Sequence, residues 1–231
     1  MNNIEHLSAR KQNLIHAENK AIALFQETVE RGWIKANISE KELSEKIHEL
    51  AFEMFQTKQH WHKRIVRAGE NTLQPYSKKP PNRILKEDDI LFFDFGPVFE
   101  KWEADVGRTY VIGNDKNKLR LMNDVEECWS LGKTYFDSNP EITGAELYKY
   151  ICNLAHERSW QFGNEHCGHL VGKFPHEKIH DEKKLNYIHP DNHLPMNAND
   201  QYDQIRDWIL EIHFVEHDLK IGGFYEQLLS C

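Results

Sequence analysis

Four acidic residues in this chain stand where acids are expensive. Asp94 lies inside the run ILFFDFG, Asp105 heads the alternating run that follows, Glu211 lies inside WILEIHF and Glu226 inside GGFYEQLL. A carboxylate within a buried apolar strand is costly unless it is paired, hydrogen-bonded or bound to a cation. The midpoint of Asp94 and Asp105 falls between Phe99 and Glu100, beside the polar Glu100-Lys101, and that of Glu211 and Glu226 at Asp218-Leu219, again in a polar connector. Each pair is therefore expected to form a hairpin with its two acids directly opposed. Opposed residues have Cβ atoms about 5 Å apart, and like charges there repel. Either pair alone reads most simply as turn-proximal acids satisfied by backbone N–H groups. Two such pairs in one chain point to a shared positive ion.

Four carboxylates, with no Lys or Arg inside ILFFDFG, WILEIHF or GGFYEQLL, suit hard divalent cations, and an added imidazole would favour manganese, iron, cobalt or zinc over calcium. His169 in GHLVG is the candidate, because Gly168 and Gly172 allow close backbone approach. His176 follows seven residues later. The chain has 14 histidines, seven of them between 156 and 193, so spacing by itself leaves the nitrogen donor open.

The elements that must position these groups are legible in outline. Ile4, Leu7, Leu14, Ile15, Ile22, Phe25 and Val29 recur at helical spacing and Gly32 follows as a stop, which predicts a helix over 3–31. Ser39 and Glu42 form a capping box for a second helix running to about 57, with the apolar face Leu43, Ile47, Leu50, Met54 and Phe55. Strands are expected at Lys63 to Arg67, Ile90 to Phe95, Val98 to Trp102 and from Val106 through Ile112, with a loop after the first in which Pro80-Pro81 excludes a helix. A helix of about 117–137 comes next, then one capped by Thr143 and Glu146 that reaches Phe162. The stretch 164–207, polar and rich in His, Asn and Asp, reads as a long functional loop. Trp208 to Val215 and Gly223 to Leu229 close the chain as strands. The expectation is one α+β domain over 1–231, with a helical N-terminal extension at 1–58 and a metal-binding core at 60–231.

A length of 231 residues suits such a domain. The formal charge of −8, with both signs interspersed, argues against nucleic acid, which needs a clustered basic surface. Two bound divalent cations would bring it to −4. No window approaches the ~20 apolar residues of a membrane span, and the start MNNIEHLSARKQNLIH lacks a signal-peptide core. Cys128, Cys152, Cys167 and Cys231 form no C-x-x-C pair. A cytoplasmic location without membrane partners is expected, and the apolar face of the first helix suggests a homodimer.

Taken in order, DFGPVFEKWEAD, GHLVGKFPHEK, LEIHF and GFYEQLL resemble the pita-bread metallopeptidases: methionine aminopeptidase, aminopeptidase P, prolidase and creatinase. RIVRAGEN followed by ILKEDDILFFDFG is most similar to the aminopeptidase P and prolidase branch. The likeness covers roughly 60–231. It implies a curved antiparallel sheet covered by helices, and two metal ions held by Asp94, Asp105, His169, Glu211 and Glu226. Asp105 and Glu226 would bridge the ions, Asp94 completing one shell and His169 with Glu211 the other. A bridging hydroxide would attack the scissile carbonyl of a peptide or amide, Glu211 would pass the proton, and His176 would hydrogen-bond the carbonyl or tetrahedral intermediate. Two departures bear on specificity. The loop position where the family carries a substrate-contacting histidine is LQPY, so Tyr76 stands there, and the usual Glu-Pro at the fourth ligand is Glu211-Ile212. Three functions follow: a hydrolase of a small peptide or amide; the same dimetal centre acting on a small metabolite, with oxygen if the metal is iron; or a protein-binding module.

Overall fold

The computed structural model describes residues 8–176, 183–199 and 205–231. Two helices open it. α1 spans Ala9–Glu30, capped by Ser8, whose hydroxyl accepts from the Lys11 N–H. α2 spans Glu40–Phe55, capped by Ser39, which accepts from the Glu42 N–H. The reciprocal carboxylate bond of a full capping box forms instead at α4, Gly144–Glu157, where Thr143 and Glu146 complete both halves. Between them lies α3, Lys116–Ser138.

The strands form one antiparallel sheet and a small hairpin. β1 is Ile65–Ala68, β2 Ile90–Phe95, β5 Val106–Val111, β6 Gln161–Phe162, β7 Gly168–Val171, β8 Asp207–Glu216 and β9 Ile221–Leu228, in the order β1-β2-β5-β9-β8-β6. β6 and β7 lie along the same edge of β8, one pairing with Phe214 and Val215, the other with residues 207–210. The hairpin is β3, Val98–Phe99, with β4, Trp102–Glu103.

Strand alternation sorts side chains onto two faces. Leu91, Phe93 and Phe95 of β2 join Ala17, Leu24 and Phe25 of α1 and Leu43 and Ile47 of α2 in one core. Trp208, Leu210, Ile212 and Phe214 of β8 join Leu121, Val125, Leu147 and Ile151 of α3 and α4 in another. The intervening residues, Phe92 and Asp94 on β2, Glu211 and His213 on β8, Phe224 and Glu226 on β9, turn to the opposite face. Of the apolar stripe of α1, Leu14 and Phe25 are buried and Val29 is exposed, while Ile4 and Leu7 lie outside the described residues.

Several local expectations are corrected. The helix over 143–162 ends at Glu157, because Ser159 takes a left-handed φ of 60°, and Gln161–Phe162 then pairs as a strand. The stretch 164–207 holds β7, four residues too short to show a period in sequence. The strand expected at Lys63–Arg67 lies at Ile65–Ala68. In the first acidic hairpin the turn is Glu100-Lys101, both left-handed at φ 52° and 77°, because Phe99 is buried and pairs with Trp102. The register moves accordingly: Asp94 faces Gly107, not Asp105, and the two acids become diagonal neighbours on one face. In the second hairpin Glu211 faces Glu226 directly, as expected.

Candidate metal centre

β2, the residue before β5, β7, β8 and β9 bring the five expected ligands together. The four carboxylates are buried, from 2 % exposed for Asp105 and Glu226 to 7 % for Asp94 and Glu211, and His169 is partly buried. His169 Nε2 lies 3.1 Å from Asp105 Oδ2, 3.5 Å from Glu211 Oε1 and 3.7 Å from Glu226 Oε1. Its Nδ1 bonds the Leu170 carbonyl at 2.9 Å, which fixes the ring with Nε2 toward the acids. Gly168 makes this possible: its φ is +150° and a Cβ there would lie 2.1 Å from the Ile209 carbonyl oxygen. Gly107 does the same for the acids, since a Cβ would sit 2.4 Å from the Phe224 ring and 2.9 Å from Glu226 Cβ.

Four buried carboxylates cannot all ionise in each other's company. Burial pushes Glu211 up to about 8 and Asp94 up to about 6, the charges of His169 and His62 respectively pulling back. Burial with the repulsion of Asp105 drives Glu226 well above the carboxylate range. Asp105 goes the other way, to about 2: burial raises it, but the His62 charge and hydrogen bonds from His169 and His62 outweigh that. Without an ion the cluster must hold protons that its acids would shed in water. The donor set also contains an orphan: Glu226 Oε2 is buried and has no hydrogen-bond partner. A buried acceptor with nothing to accept is what a bound cation would satisfy. Donor atoms of Asp105, His169 and Glu226 lie within 4.8 Å of one another, as do those of His62, Asp94 and Asp105. Carboxylate oxygens and imidazole nitrogens at this density fit divalent metal ions.

His62 carries no sequence pattern that marks it. It sits in the polar stretch before β1, with Nε2 3.0 Å from Asp105 Oδ1 and 3.6 Å from Asp94 Oδ1. Trp61 packs edge-on against the rings of His62, His169 and His176 at 4.5, 5.2 and 5.5 Å, and its indole N–H donates to the Ala104 carbonyl. Glu103 was also unmarked. It is 2 % exposed, accepts from His176 Nδ1 at 2.6 Å, and takes the backbone N–H groups of Gly172 and His176. His166 Nδ1 stops 3.7 Å from Glu211 and makes no hydrogen bond; burial lowers it to about 3, so it is a neutral neighbour and not an ion-pair partner.

All of these line a cavity of about 610 Å³. Tyr76 stands at its rim, 44 % exposed, its ring 5.8 Å from that of His62 and beneath the Lys63 ammonium at 4.0 Å. Arg108 faces the helices instead, donating to the Glu226 carbonyl and lying 4.0 Å over the Tyr225 ring, so it pairs with no ligand carboxylate. No helix among the described residues is long and apolar enough to cross a membrane.

The family model of metallopeptidase family M24 matches residues 12–202. That match ends before Glu211 and Glu226, whose places in the cluster rest on the strand register. Among curated proteins, methionine aminopeptidase 1 of Saccharomyces cerevisiae is 31% identical over 99 residues, covering 42% of this chain and 25% of that protein. Among solved structures, X-Pro aminopeptidase from Thermotoga maritima superposes with TM-score 0.75 at 19% identity, over 96% of this chain and 61% of that one. Methionine aminopeptidase from the same organism gives 0.63 at 15%, over 92% and 88%. These likenesses carry the expected pita-bread fold. The curated matches span well under half the length of the relatives concerned.

Proposed function

Because the chain belongs to metallopeptidase family M24, we propose that it is a dimetal-dependent hydrolase of the C–N bond in short peptides or peptide-like amides, acting in the manner of an aminopeptidase or dipeptidase. One observation carries the reading: four buried carboxylates and His169 converge on one face of the sheet, leaving Glu226 Oε2 without a donor. Asp94, Asp105, His169, Glu211 and Glu226 would hold two divalent ions, with manganese, iron, cobalt and zinc all compatible with the donors. When bound, such ions act as Lewis acids that lower the pKa of water and polarise a carbonyl.

The chain's own groups supply the rest. Glu211, which lines the cavity with its Oε1 3.5 Å from His169 Nε2, would take a proton from the attacking water and hand it to the leaving amine. His176 gives its Nδ1–H to the Glu103 carboxylate, and with that buried anion behind it a doubly protonated ring would donate from Nε2 to the carbonyl oxygen as negative charge develops there. The cavity of about 610 Å³ suits a small ligand and not a folded protein. Tyr76 at the rim supplies a hydroxyl donor where the family carries imidazole, which supports contact with substrate and a specificity of its own. Four unpaired cysteines support a cytoplasmic setting.

Purified protein should be stripped with a chelator, reloaded with manganese, and assayed on X-Pro dipeptides, Met-initiated peptides and small amides. Hydrolysis that depends on the metal supports the proposal. Turnover found only with ferrous iron and oxygen would assign the centre to oxidative chemistry on a small metabolite. Metal content near zero would leave the chain as a binding module.

A further inference from the structure

We propose that His62 is a sixth metal ligand, so that each of the two ions has one imidazole of its own; the inference rests on the dimetal reading above. The two histidines are placed alike although they lie 107 positions apart in sequence. His62 Nδ1 bonds the carbonyl of the next residue, Lys63, at 2.7 Å, and His169 Nδ1 bonds the carbonyl of its next residue, Leu170, at 2.9 Å. Metal-binding histidines ordinarily donate the second ring N–H to a carbonyl or carboxylate in this way, which leaves Nε2 bare for the ion. The two Nε2 atoms then take the two oxygens of one carboxylate. His62 is 3.0 Å from Asp105 Oδ1 and His169 3.1 Å from Asp105 Oδ2. A carboxylate that bridges two ions gives one oxygen to each, so the imidazoles fall one to an ion.

The spacing is that of ligands around a common centre. Two donors each about 2.1 Å from one ion lie roughly 3.0 Å apart at a right angle and roughly 3.6 Å apart at 120°. His62 Nε2 sits 3.0 Å from Asp105 Oδ1 and 3.6 Å from Asp94 Oδ1, within that range. Room has been made for it: a Cβ on Gly96 would lie 2.2 Å from the His62 ring and 2.4 Å from the Trp61 indole nitrogen. An all-oxygen donor set at the Asp94 ion would tolerate magnesium or calcium; a nitrogen there shifts preference to transition metals.

The test reads the ions directly. His169→Gln removes the other imidazole; loaded with one equivalent of manganese, it should keep an imidazole-nitrogen coupling in pulsed electron paramagnetic resonance. His62→Gln should bind its weaker ion about 10- to 100-fold less tightly by calorimetry, at least the loss of an outer partner, with circular dichroism unchanged. In wild type labelled with 15N-histidine, two coupled nitrogens are expected. His169→Gln without nitrogen coupling, or unlabelled and labelled wild type reporting a single coupled imidazole, would overturn the assignment and leave His62 as a hydrogen-bond donor to Asp105. A wild-type chain that takes up no manganese would overturn the dimetal reading itself, and this inference with it.

Discussion

Glu103 and His176, 73 positions apart, are joined by a 2.6 Å hydrogen bond between Oε2 and Nδ1. Two backbone N–H groups hold the same carboxylate in place, so the imidazole is oriented by a buried anion and leaves one nitrogen for the cavity.

His176→Ala should therefore lower kcat by about 10²–10³-fold, the usual cost of one donor at a developing oxyanion. Glu103→Gln, which keeps an acceptor for Nδ1–H but removes the buried negative charge beside the ring, should cost about 10–100-fold. Both variants should keep their full metal content by elemental analysis. A loss of metal in either would mean that the pair shapes the centre itself instead of acting on substrate.

Asp105 is shared by His62 and His169, one on each oxygen. Asp105→Ala should abolish binding of both ions, whereas Asp94→Ala should remove one and leave the other. Calorimetric titration with manganese distinguishes the two. Retention of one tight ion by Asp105→Ala would mean that the carboxylate does not bridge.

The metal-free protein should lose stability as pH rises. Asp94 and Glu211 are raised to about 6 and about 8 by burial, so the folded state binds protons that the unfolded chain releases. Their contribution is complete below the ordinary carboxylate pKa and is lost as pH climbs through those values. His62, which burial lowers but Asp105 and Asp94 raise to about 9, adds a loss in the same direction at higher pH. Asp105, at about 2, contributes fully above about pH 4 and does not oppose the trend. Burial lowers His60, His166 and His213 to about 4, 3 and 4, and their opposing gain is complete by about pH 7, so a melting series from about pH 7 to 9 should show Tm falling, by about 2–4 °C per kcal/mol lost. Saturating manganese should flatten the slope, since ions replace the protons. A Tm of the chelated protein that rises across this range would refute the assigned protonation.

Gly168→Ala places a methyl 2.1 Å from the Ile209 carbonyl at a φ of +150°. β7 must move off β8, at a cost of at least about 1–3 kcal/mol, and His169 moves with it. The variant should melt lower and bind its ions more weakly, while Gly32→Ala, at a helix end with open space around it, should leave metal affinity untouched. Equal metal affinity in Gly168→Ala and wild type would show that β7 does not set the His169 position.

Much of the site was legible because the signal is local and costly. An acid inside ILFFDFG or WILEIHF can be read from the strand around it, and the long β8–β9 hairpin let Glu211 and Glu226 be paired by counting alone. The same counting failed at Asp94 and Asp105, because the turn there takes Glu100 and Lys101 through left-handed backbone and slides the register by two. His62, Trp61 and Glu103 could not have been found this way, for their partners lie in other strands.

The sequence by itself determined which residues are acids in apolar strands, where α2, α3 and α4 begin and, through the order of five ligands, the kind of fold that gathers them. Only the tertiary structure decided which oxygen meets which nitrogen. Side-chain period and hydrophobicity fix the face a residue takes along its own strand, but the donor that reaches it across the sheet is set by register, by left-handed turns, and by glycines such as Gly96 and Gly168 that leave space for a ring or a carbonyl.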